Sequence, residues 1–487
     1  MIGTTLEKWK GVHPATALLI FGVACAMTFS EVSAQVATLT TQEYPLLGNT
    51  HIAADLNADG KPDLAGAGVN AASVMLGNGD GTFRAKTDFP IGIQTQAVAA
   101  GDFNGDGKVD LMVTLNSPQF SLALLTGTGT GTFNAPTFLP NTSGFDSPAI
   151  AATDLSGDGK LDLVVMHNIA CFTAPCRAAR SITILLGNGN GTFQTPSEID
   201  VGTGPMTMAV LDLNRDGIKD VAIGGGNTEF SVLLGVGNGT FLQQPVVTLV
   251  PGGDLFSACN DISAGDLNRD GIQDLVVPLG NGEGNAILVG NGNGTFQVTS
   301  RIQIDENFAP LHVAVADYNR DGLLDIARTM GDGTNGLMQI MNGNGNGTFQ
   351  SPIAYLVPAP LSSIGGIVII TGDWNVDAKP DIAFVVGGAA AALDVLTNTT
   401  GGAGTDTVTI TRAEYQTSSR RLRIEATSTN ATATLQAFVT STNQLIGTLS
   451  NSGGGRFRGQ FSWPVNPQNI TVRSNFGGQA TRVVSVR

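Results

Sequence analysis

A nine-residue pattern rich in aspartate, D-x-[NS]-x-D-[GA]-x-x-D, recurs seven times along the chain. Positions 1, 5 and 9 are aspartate in every copy, and position 3 is asparagine except for Ser156 in the third copy. Each copy therefore offers side-chain oxygens at alternate positions, which a chain curling around a cation can turn inward. The candidate metal ligands are Asp55, Asn57, Asp59, Asp63, Asp102, Asn104, Asp106, Asp110, Asp154, Ser156, Asp158, Asp162, Asp212, Asn214, Asp216, Asp220, Asp266, Asn268, Asp270, Asp274, Asp317, Asn319, Asp321, Asp325, Asp373, Asn375, Asp377 and Asp381.

An all-oxygen ligand set with three carboxylates suits a hard cation, and calcium tolerates irregular geometry better than magnesium does. The spacing matches the first half of an EF-hand loop. Position 12, where an EF-hand needs glutamate, is instead glycine, an apolar residue or, in the sixth copy, Arg328. We therefore expect up to seven Ca²⁺ ions in β-hairpin loops. The third and seventh sites should be weaker, because Ser156 is a poorer ligand and Ala378 replaces the glycine of position 6.

The competing interpretation is that these residues simply form turns, since Asp, Asn and Gly all favour turns without any ion. Charge favours the metal interpretation. Residues 35–403 contain 35 Asp and Glu against 14 Lys and Arg, and 21 of those acids lie in the loops. Three crowded carboxylates are costly without a cation. The formal net charge of −15 also argues against a nucleic-acid partner.

The loops recur at intervals of 47 to 58 residues, and each lies between two short apolar runs. A glycine-rich turn ending in Gly-Thr-Phe follows each of the first six loops. Four strands in about 50 residues are typical of a propeller blade. The sequence thus predicts an all-β protein built around a seven-bladed propeller of four-stranded blades.

The seventh repeat has no Gly-Thr-Phe turn and no fourth strand, whereas a strand-like segment at residues 42–46 precedes the first repeat. We predict that this N-terminal strand completes the seventh blade and closes the ring. Closure matters because it leaves no end blade with an unpaired strand.

These repeats resemble the FG-GAP and VCBS repeats of bacterial surface proteins and, more distantly, the propeller of the integrin α chain. The resemblance covers about three quarters of the chain. It implies calcium in the hairpin loop between the first two strands of each blade, and a ligand-binding, adhesion or scaffold role; some members are appended to enzymes. No repeat carries the Gly-Ala-Pro element of integrins, so integrin-like ligand contacts are not carried over.

The expected domain order is a signal peptide (1–34), the propeller (35–398), a linker (399–405) and an Ig-like β-sandwich (406–487). Lys8 and Lys10 precede a short apolar stretch, and small residues mark a cleavage site near Ala34. We therefore expect a secreted, cell-surface or periplasmic protein with no transmembrane segment after cleavage. An uncleaved anchor and a lipoprotein modified at Cys25 are the alternatives.

Period-two alternation of apolar and polar residues predicts the C-terminal sandwich. The arginines there fall on its expected solvent face, either as solvated charges or as a docking face for an acidic partner. Cys171 and Cys176 could form a disulfide or remain free thiols, and Cys259 has no evident partner.

The sequence contains no recognisable catalytic constellation. His51 and His312 fit packing roles best, and His167 follows the second strand of its repeat. We therefore expect a non-enzymatic module that binds a protein or polysaccharide ligand at the cell surface. A polysaccharide lyase or hydrolase and a purely structural envelope or matrix protein are the alternatives.

Overall fold

The computed structural model describes residues 39–48, 50–117, 120–140, 147–167, 181–201, 204–226, 229–250, 259, 261–280, 283–303, 309–331, 336–356, 369–386, 392–399, 407–429, 433, 435–440, 445–474 and 479–487. These residues form 37 β-strands and no helix. They accordingly include no helix long and apolar enough to cross a membrane. The predicted signal peptide, residues 400–405 of the predicted linker (399–405), Cys171 and Cys176 lie outside the described residues.

Seven antiparallel sheets follow one another along the chain and form the blades of a propeller, as the repeats predict. The first strand, β1, spans Leu39–Pro45. Blades 1 to 3 then comprise β2 (His51–Ala54), β3 (Asp63–Gly68), β4 (Ala71–Met75) and β5 (Thr87–Pro90); β6 (Thr95–Gly101), β7 (Asp110–Leu115), β8 (Phe120–Leu125) and β9 (Thr137–Pro140); and β10 (Ala149–Thr153), β11 (Asp162–Met166), β12 (Ser181–Leu185) and β13 (Ser197–Asp200).

Blade 4 differs in that its outer strand is divided into two short segments, β17 and β18, which both pair with β16. Blades 4 and 5 comprise β14 (Pro205–Leu211), β15 (Asp220–Gly225), β16 (Glu229–Gly235), β17 (Phe241–Gln243) and β18 (Val247–Thr248); and β19 (Ser263–Gly265), β20 (Asp274–Leu279), β21 (Gly284–Gly290) and β22 (Phe296–Ile302). Blades 6 and 7 comprise β23 (Ala309–Ala316), β24 (Asp325–Gly331), β25 (Gly336–Met341) and β26 (Ile353–Leu356); and β27 (Ile370–Gly372), β28 (Asp381–Val386) and β29 (Ala392–Asn398).

The N-terminal strand closes the ring. β1 pairs with β29 along its whole length, from Leu39 opposite Asn398 to Pro45 opposite Ala392, and so becomes the fourth strand of blade 7. This confirms the closure predicted from the incomplete seventh repeat. The strand begins three residues before the predicted segment, because the threonines at its start add no apolar alternation that would extend the pattern.

Apolar packing joins each blade to the next. Among the described residues of the propeller there are seven separate buried clusters, and each combines residues of two successive blades. The last of them joins blade 7 to blade 1 through Trp374, Tyr44 and Leu64. Because side chains on the two faces of each blade enter different clusters, the middle strands are buried on both faces, as in β3, β7 and β20.

The C-terminal residues form one path of eight hydrogen-bonded strands, β36-β35-β32-β33-β34-β31-β30-β37. These strands are β30 (Val408–Gln416), β31 (Arg421–Ser428), β32 (Leu435–Val439), β33 (Leu445–Asn451), β34 (Arg456–Ser462), β35 (Asn469–Ser474), β36 (Gln479–Val483) and β37 (Ser485–Val486). β33 pairs with strands of both halves of the path, β32 and β34. The buried cluster here is made of described residues between Val408 and Val484 and includes no propeller residue. An Ig-like topology for it remains a prediction.

Candidate metal-binding loops

Each acidic loop connects the first two strands of its blade. In blade 1, β2 ends at Ala54 and β3 begins at Asp63, so residues 55–62 form the turn and the ninth residue already belongs to the second strand. The same arrangement holds in all seven blades. The repeated spacing therefore places every candidate ligand set at the corresponding end of its blade, as the sequence predicts.

The aspartate at position 9 is completely buried in all seven loops and accepts at least two backbone hydrogen bonds, with a third from position 3 in the third and sixth loops. Its Oδ2 accepts from the N–H of position 2 at 2.8–3.1 Å. Its Oδ1 accepts from the first glycine of the glycine-rich turn, or from Asn398 in blade 7, at 2.5–2.9 Å. In blades 1 to 6 this side chain thus ties the loop to the turn between the third and fourth strands of the same blade.

The aspartate at position 1 holds the loop in its curled shape. Its Oδ2 accepts from the N–H of position 6 in every copy, at 2.8–2.9 Å. The six glycines at position 6 have φ between 79° and 84°, and Ala378 has φ 60°. The need for positive φ at this position is therefore confirmed, and Ala378 is in the strained conformation that the sequence predicts.

Position 4 also has positive φ, which the residue types at this position do not predict. Glycine occupies it in the second and third loops. The other five loops adopt the same conformation with larger residues, at φ 56–66°: Ala58, Arg215, Arg269, Arg320 and Val376. Only the two glycines could have signalled it, because arginine and valine are not typical of left-handed positions. The seventh loop is thus strained at two residues, Val376 and Ala378.

Positions 3 and 5 make local turns. The Asn Oδ1 of position 3 accepts from the N–H of position 5 at 2.9–3.1 Å in six loops. In the third loop, the Ser156 hydroxyl lies 3.5 Å from Asp154 instead. The Oδ1 of position 5 accepts from the N–H of position 7 in all seven loops, at 2.8–3.1 Å.

The carboxylates of one loop influence one another. Burial raises the pKa of four position-9 aspartates: Asp63, Asp110, Asp220 and Asp274. The negative charges at positions 5 and 1 raise this pKa further, whereas the hydrogen bonds from the backbone lower it. In the sixth loop, burial and the same neighbours raise the pKa of Asp325 to about 7. Crowding of three acids, which a cation would relieve, is therefore present in these loops.

The ligand atoms of each loop are of the type that calcium prefers, namely carboxylate and amide or hydroxyl oxygens. In this structure these oxygens accept hydrogen bonds from backbone N–H groups. Within the part of the chain that is described, no three Asp, Glu, His or Cys side chains converge as a metal site. Each loop nevertheless carries three carboxylates and an amide or hydroxyl oxygen within nine residues, and a carboxylate oxygen that accepts one hydrogen bond keeps a further lone pair. Hard, all-oxygen donors of this kind suit Ca²⁺ once they turn toward a shared centre.

A second set of hydrogen bonds connects neighbouring blades at the loops. A glycine N–H of the glycine-rich turn donates to the carbonyl of position 2 in the preceding blade's loop: Gly81 to Trp374, Gly191 to Phe103, Gly239 to Leu155 and Gly347 to Leu267, at 2.8–3.2 Å. Such a loop is therefore bound to its own strands through position 9 and to the next blade's turn through position 2.

The histidines lie outside the loops. His51 is buried, which lowers its pKa to about 4. His167 is buried between the Ser147 and Thr183 hydroxyls, at 3.1 and 2.7 Å. His312 Nδ1 lies 3.3 Å from an Asp261 carboxylate oxygen. Cys259 is a buried free thiol whose pKa burial raises to about 12.

A sequence profile described as FG-GAP-like repeat matches residues 55–113, 102–165, 171–223, 212–277 and 278–327, which together make up more than half of the chain. No curated protein is significantly similar in sequence. Among solved structures, a lectin from Agrocybe aegerita that specifically recognises non-reducing terminal N-acetylglucosamine is 20% identical, with a TM-score of 0.48, over 72% of this chain and 86% of its own. A chain from the complex of BBS1N with ARL6DN is 13% identical, with a TM-score of 0.49, over 75% of this chain and 95% of its own.

Proposed function

The chain belongs to the FG-GAP-like repeat family, and from this we propose that it is an exported, calcium-stabilised propeller that binds a protein or polysaccharide outside the cell. The observation that carries the proposal is the repetition of one loop. Seven loops hold aspartate at the same three positions in the same hydrogen-bonded curl. In six of the loops, the negative charges at positions 1 and 5 help to raise the pKa of the position-9 aspartate.

In each loop, the oxygens of positions 1, 3, 5 and 9 would hold one Ca²⁺. The ion would supply positive charge that offsets the crowding and fixes the hairpin. The chain's own residues prepare for this. Position 1 bends the loop through the N–H of position 6, and position 9 anchors it to the second strand. Lys108 and Lys160, which lie 3.3 and 2.9 Å from Asp106 and Asp158, offset part of the negative charge in the second and third loops.

We place the ligand-binding surface at the end of the propeller opposite the loops. The acidic loops occupy the same end of every blade and are eight residues long in each, and the glycine-rich turns of blades 1 to 6 lie at that end too. The connections at the other end vary much more. Only two residues separate β3 from β4, whereas the connection between β11 and β12 runs from His167 to Arg180. Variable loops on a rigid scaffold are where binding specificity usually lies.

A pull-down from the native cell surface tests the proposal. We expect the intact protein to retain a surface protein or polysaccharide in calcium buffer and to lose it when EGTA removes the metal. Incubation of the purified protein with acidic and neutral polysaccharides tests the alternative function. Retention without turnover supports a binding module, whereas turnover would assign a polysaccharide lyase or hydrolase instead.

A further inference from the structure

The outward side of β30, β31 and β34 carries a concentration of arginine. We call this surface the arginine face and define it by Arg412, Arg421, Arg423, Arg456 and Arg458. Residues 404–487 contain nine Arg, no Lys and three Asp or Glu, in contrast to the acidic propeller. The two parts of the chain therefore differ in the sign of their charge, and a single partner chemistry does not suit both.

Alternation within the strands sets the direction of these side chains. Leu422, Ile424 and Phe457 are buried in the C-terminal core, whereas Arg421, Arg423, Arg456 and Arg458 are exposed. Apolar residues at every second position fix the register of a half-buried strand. The arginines are thereby held on one face of a sheet rather than on mobile loops.

Two glutamates form ion pairs with some of these arginines but not with all of them. Glu414 and Glu425 form ion pairs with Arg412, and Glu425 also pairs with Arg423. Glu414 pairs in addition with Arg487, at 3.0 Å. Arg421, Arg456 and Arg458 form no ion pair with any described residue. Their guanidinium groups keep their donors for a ligand.

The register arranges the arginines in a row. Arg421 lies opposite Ser462, Arg423 opposite Gln460, and Thr427 opposite Arg456 at the far end of the same strand pair. Arg458 lies between these ends, opposite Glu425. With a rise of about 3.3 Å per residue, the row from Arg421 to Arg456 is about 20 Å long. That length matches an extended polymer better than a small ion.

We propose that the arginine face binds an anionic polysaccharide. A guanidinium group recognises a carboxylate or sulfate through two parallel hydrogen bonds, which an ammonium group cannot do. Gln460 and Ser462 lie beside the arginines and can contact sugar hydroxyls. The outward positions of the three strands, all of them described, carry no aromatic side chain, because Phe457, Phe461 and Trp463 pack on the core. This disfavours single-stranded nucleic acid, whose bases stack on aromatic rings.

Binding of the full chain to polygalacturonate, dextran sulfate and uncharged dextran, measured at low salt, tests this inference. The first two ligands separate carboxylate from sulfate recognition. We expect the protein to bind at least one of them and not dextran, with an affinity that falls as salt screens the charges. The double variant Arg456→Gln/Arg458→Gln should bind about tenfold more weakly, since each exposed charged contact contributes modestly.

Arg84→Gln is the matched control, because Arg84 is an exposed arginine of the propeller and its loss removes a charge of the same kind. This variant should bind like the unchanged protein. Melting curves of all variants check the fold. Binding should persist in EGTA, so failure of the calcium proposal would not remove it. Equal affinity of the double variant and the unchanged protein, no binding to either polyanion, or tighter binding of single-stranded DNA would overturn the inference.

Discussion

The aspartate at position 9 has a structural role that is independent of metal. Asp220 accepts the N–H groups of Leu213 and Gly235 while buried, whereas Asp216 at position 5 of the same loop is exposed and accepts from Ile218 and Asn214. A buried donor that loses its acceptor costs more than an exposed one, because water cannot replace the lost partner. The two carboxylates of one loop should therefore behave differently when metal is absent.

We predict that Asp220→Asn lowers the free energy of unfolding by about 2–3 kcal/mol even in EGTA, since an amide N–H₂ would face a backbone N–H. Asp216→Asn should cost less than about 1 kcal/mol in EGTA, because its hydrogen bonds are exposed, and should act mainly by weakening calcium binding. Denaturant unfolding of both variants, with calcium and with EGTA, measures these effects. Equal losses for the two variants in EGTA would contradict the distinction.

The seventh loop shows what a missing glycine does. Ala378 occupies a left-handed conformation that glycine adopts in the other six loops. A Cβ costs roughly 1 kcal/mol in this region of the Ramachandran map. Val376 adds strain two residues earlier, because a β-branched residue is a stronger outlier at φ 56°.

We predict that Ala378→Gly stabilises the protein by about 0.5–1 kcal/mol and tightens calcium binding at the seventh loop. Gly322→Ala makes the reverse change at the same position of the sixth loop. Its added Cβ would meet nothing within 4 Å, so only backbone strain should act. Thermal melting should shift up for the first variant and down for the second. Shifts of the same sign would show that strain at position 6 is not the cause.

The sequence predicts the role of a loop residue where the residue type is typical of the backbone conformation or contact at that position. Positions 1, 5, 6 and 9 could be predicted, because aspartate and glycine recur there without other obvious uses. The left-handed backbone at position 4 could not be predicted, since Arg215 and Val376 give no sign of it. The two backbone hydrogen bonds of position 9 were also missed, because one of them comes from a turn 14 to 25 residues later in the chain.

Among the strands, the ring-closing pair has an unusual feature. Asp394 on β29 lies directly opposite Glu43 on β1. Asp394 is only 5% exposed, and burial together with the Glu43 charge raises its pKa to about 6. Like charges directly opposite in a sheet are destabilising. The strand that closes the ring is thus held against a local repulsion once Asp394 is ionised.

Because of this raised pKa, the contribution of Asp394 to the stability of the folded protein falls as the pH rises. Because the pKa of Asp394 is higher in the folded protein than in the unfolded chain, the folded state binds more protons between about pH 4 and pH 6. We predict that Asp394→Asn raises stability at pH 7 by on the order of 1 kcal/mol, since it removes a buried negative charge that faces Glu43, and has little effect near pH 4. Melting temperatures at the two pH values, at one fixed calcium concentration, check this. A destabilised variant at pH 7 would contradict it.

The strand order of the blades could be predicted well, because the loop and the Gly-Thr-Phe turn mark two of the three connections in each of the first six repeats. The divided outer strand of blade 4 was not predicted. Pro245 lies between its two segments and cannot donate a backbone hydrogen bond to the neighbouring strand. Since proline is also tolerated in an unbroken edge strand, its presence does not predict that the strand is divided. The closing strand was predictable from what the seventh repeat lacks rather than from its own residues.

At the scale of the whole molecule, the loops belong to one connected system. Among the described residues, seven apolar clusters join the blades in a ring, and at four junctions the loop of one blade also bonds to the turn of the next. Calcium that binds the folded loops and not the unfolded chain would therefore stabilise the entire propeller. The C-terminal sheet has a core of its own, made of residues 408–484, and contains none of the acidic loops. Its stability should not depend on the metal.

Calcium titration of the metal-free full chain, followed by calorimetric unfolding with calcium and with EGTA, tests the central claim most directly. We predict uptake of several Ca²⁺ ions, up to one for each of the seven loops, and a propeller transition that calcium raises well beyond the effect of an equal ionic strength of sodium chloride. The transition of the C-terminal sheet should stay unchanged. No calcium uptake, together with identical unfolding curves in calcium and in EGTA, would contradict the account.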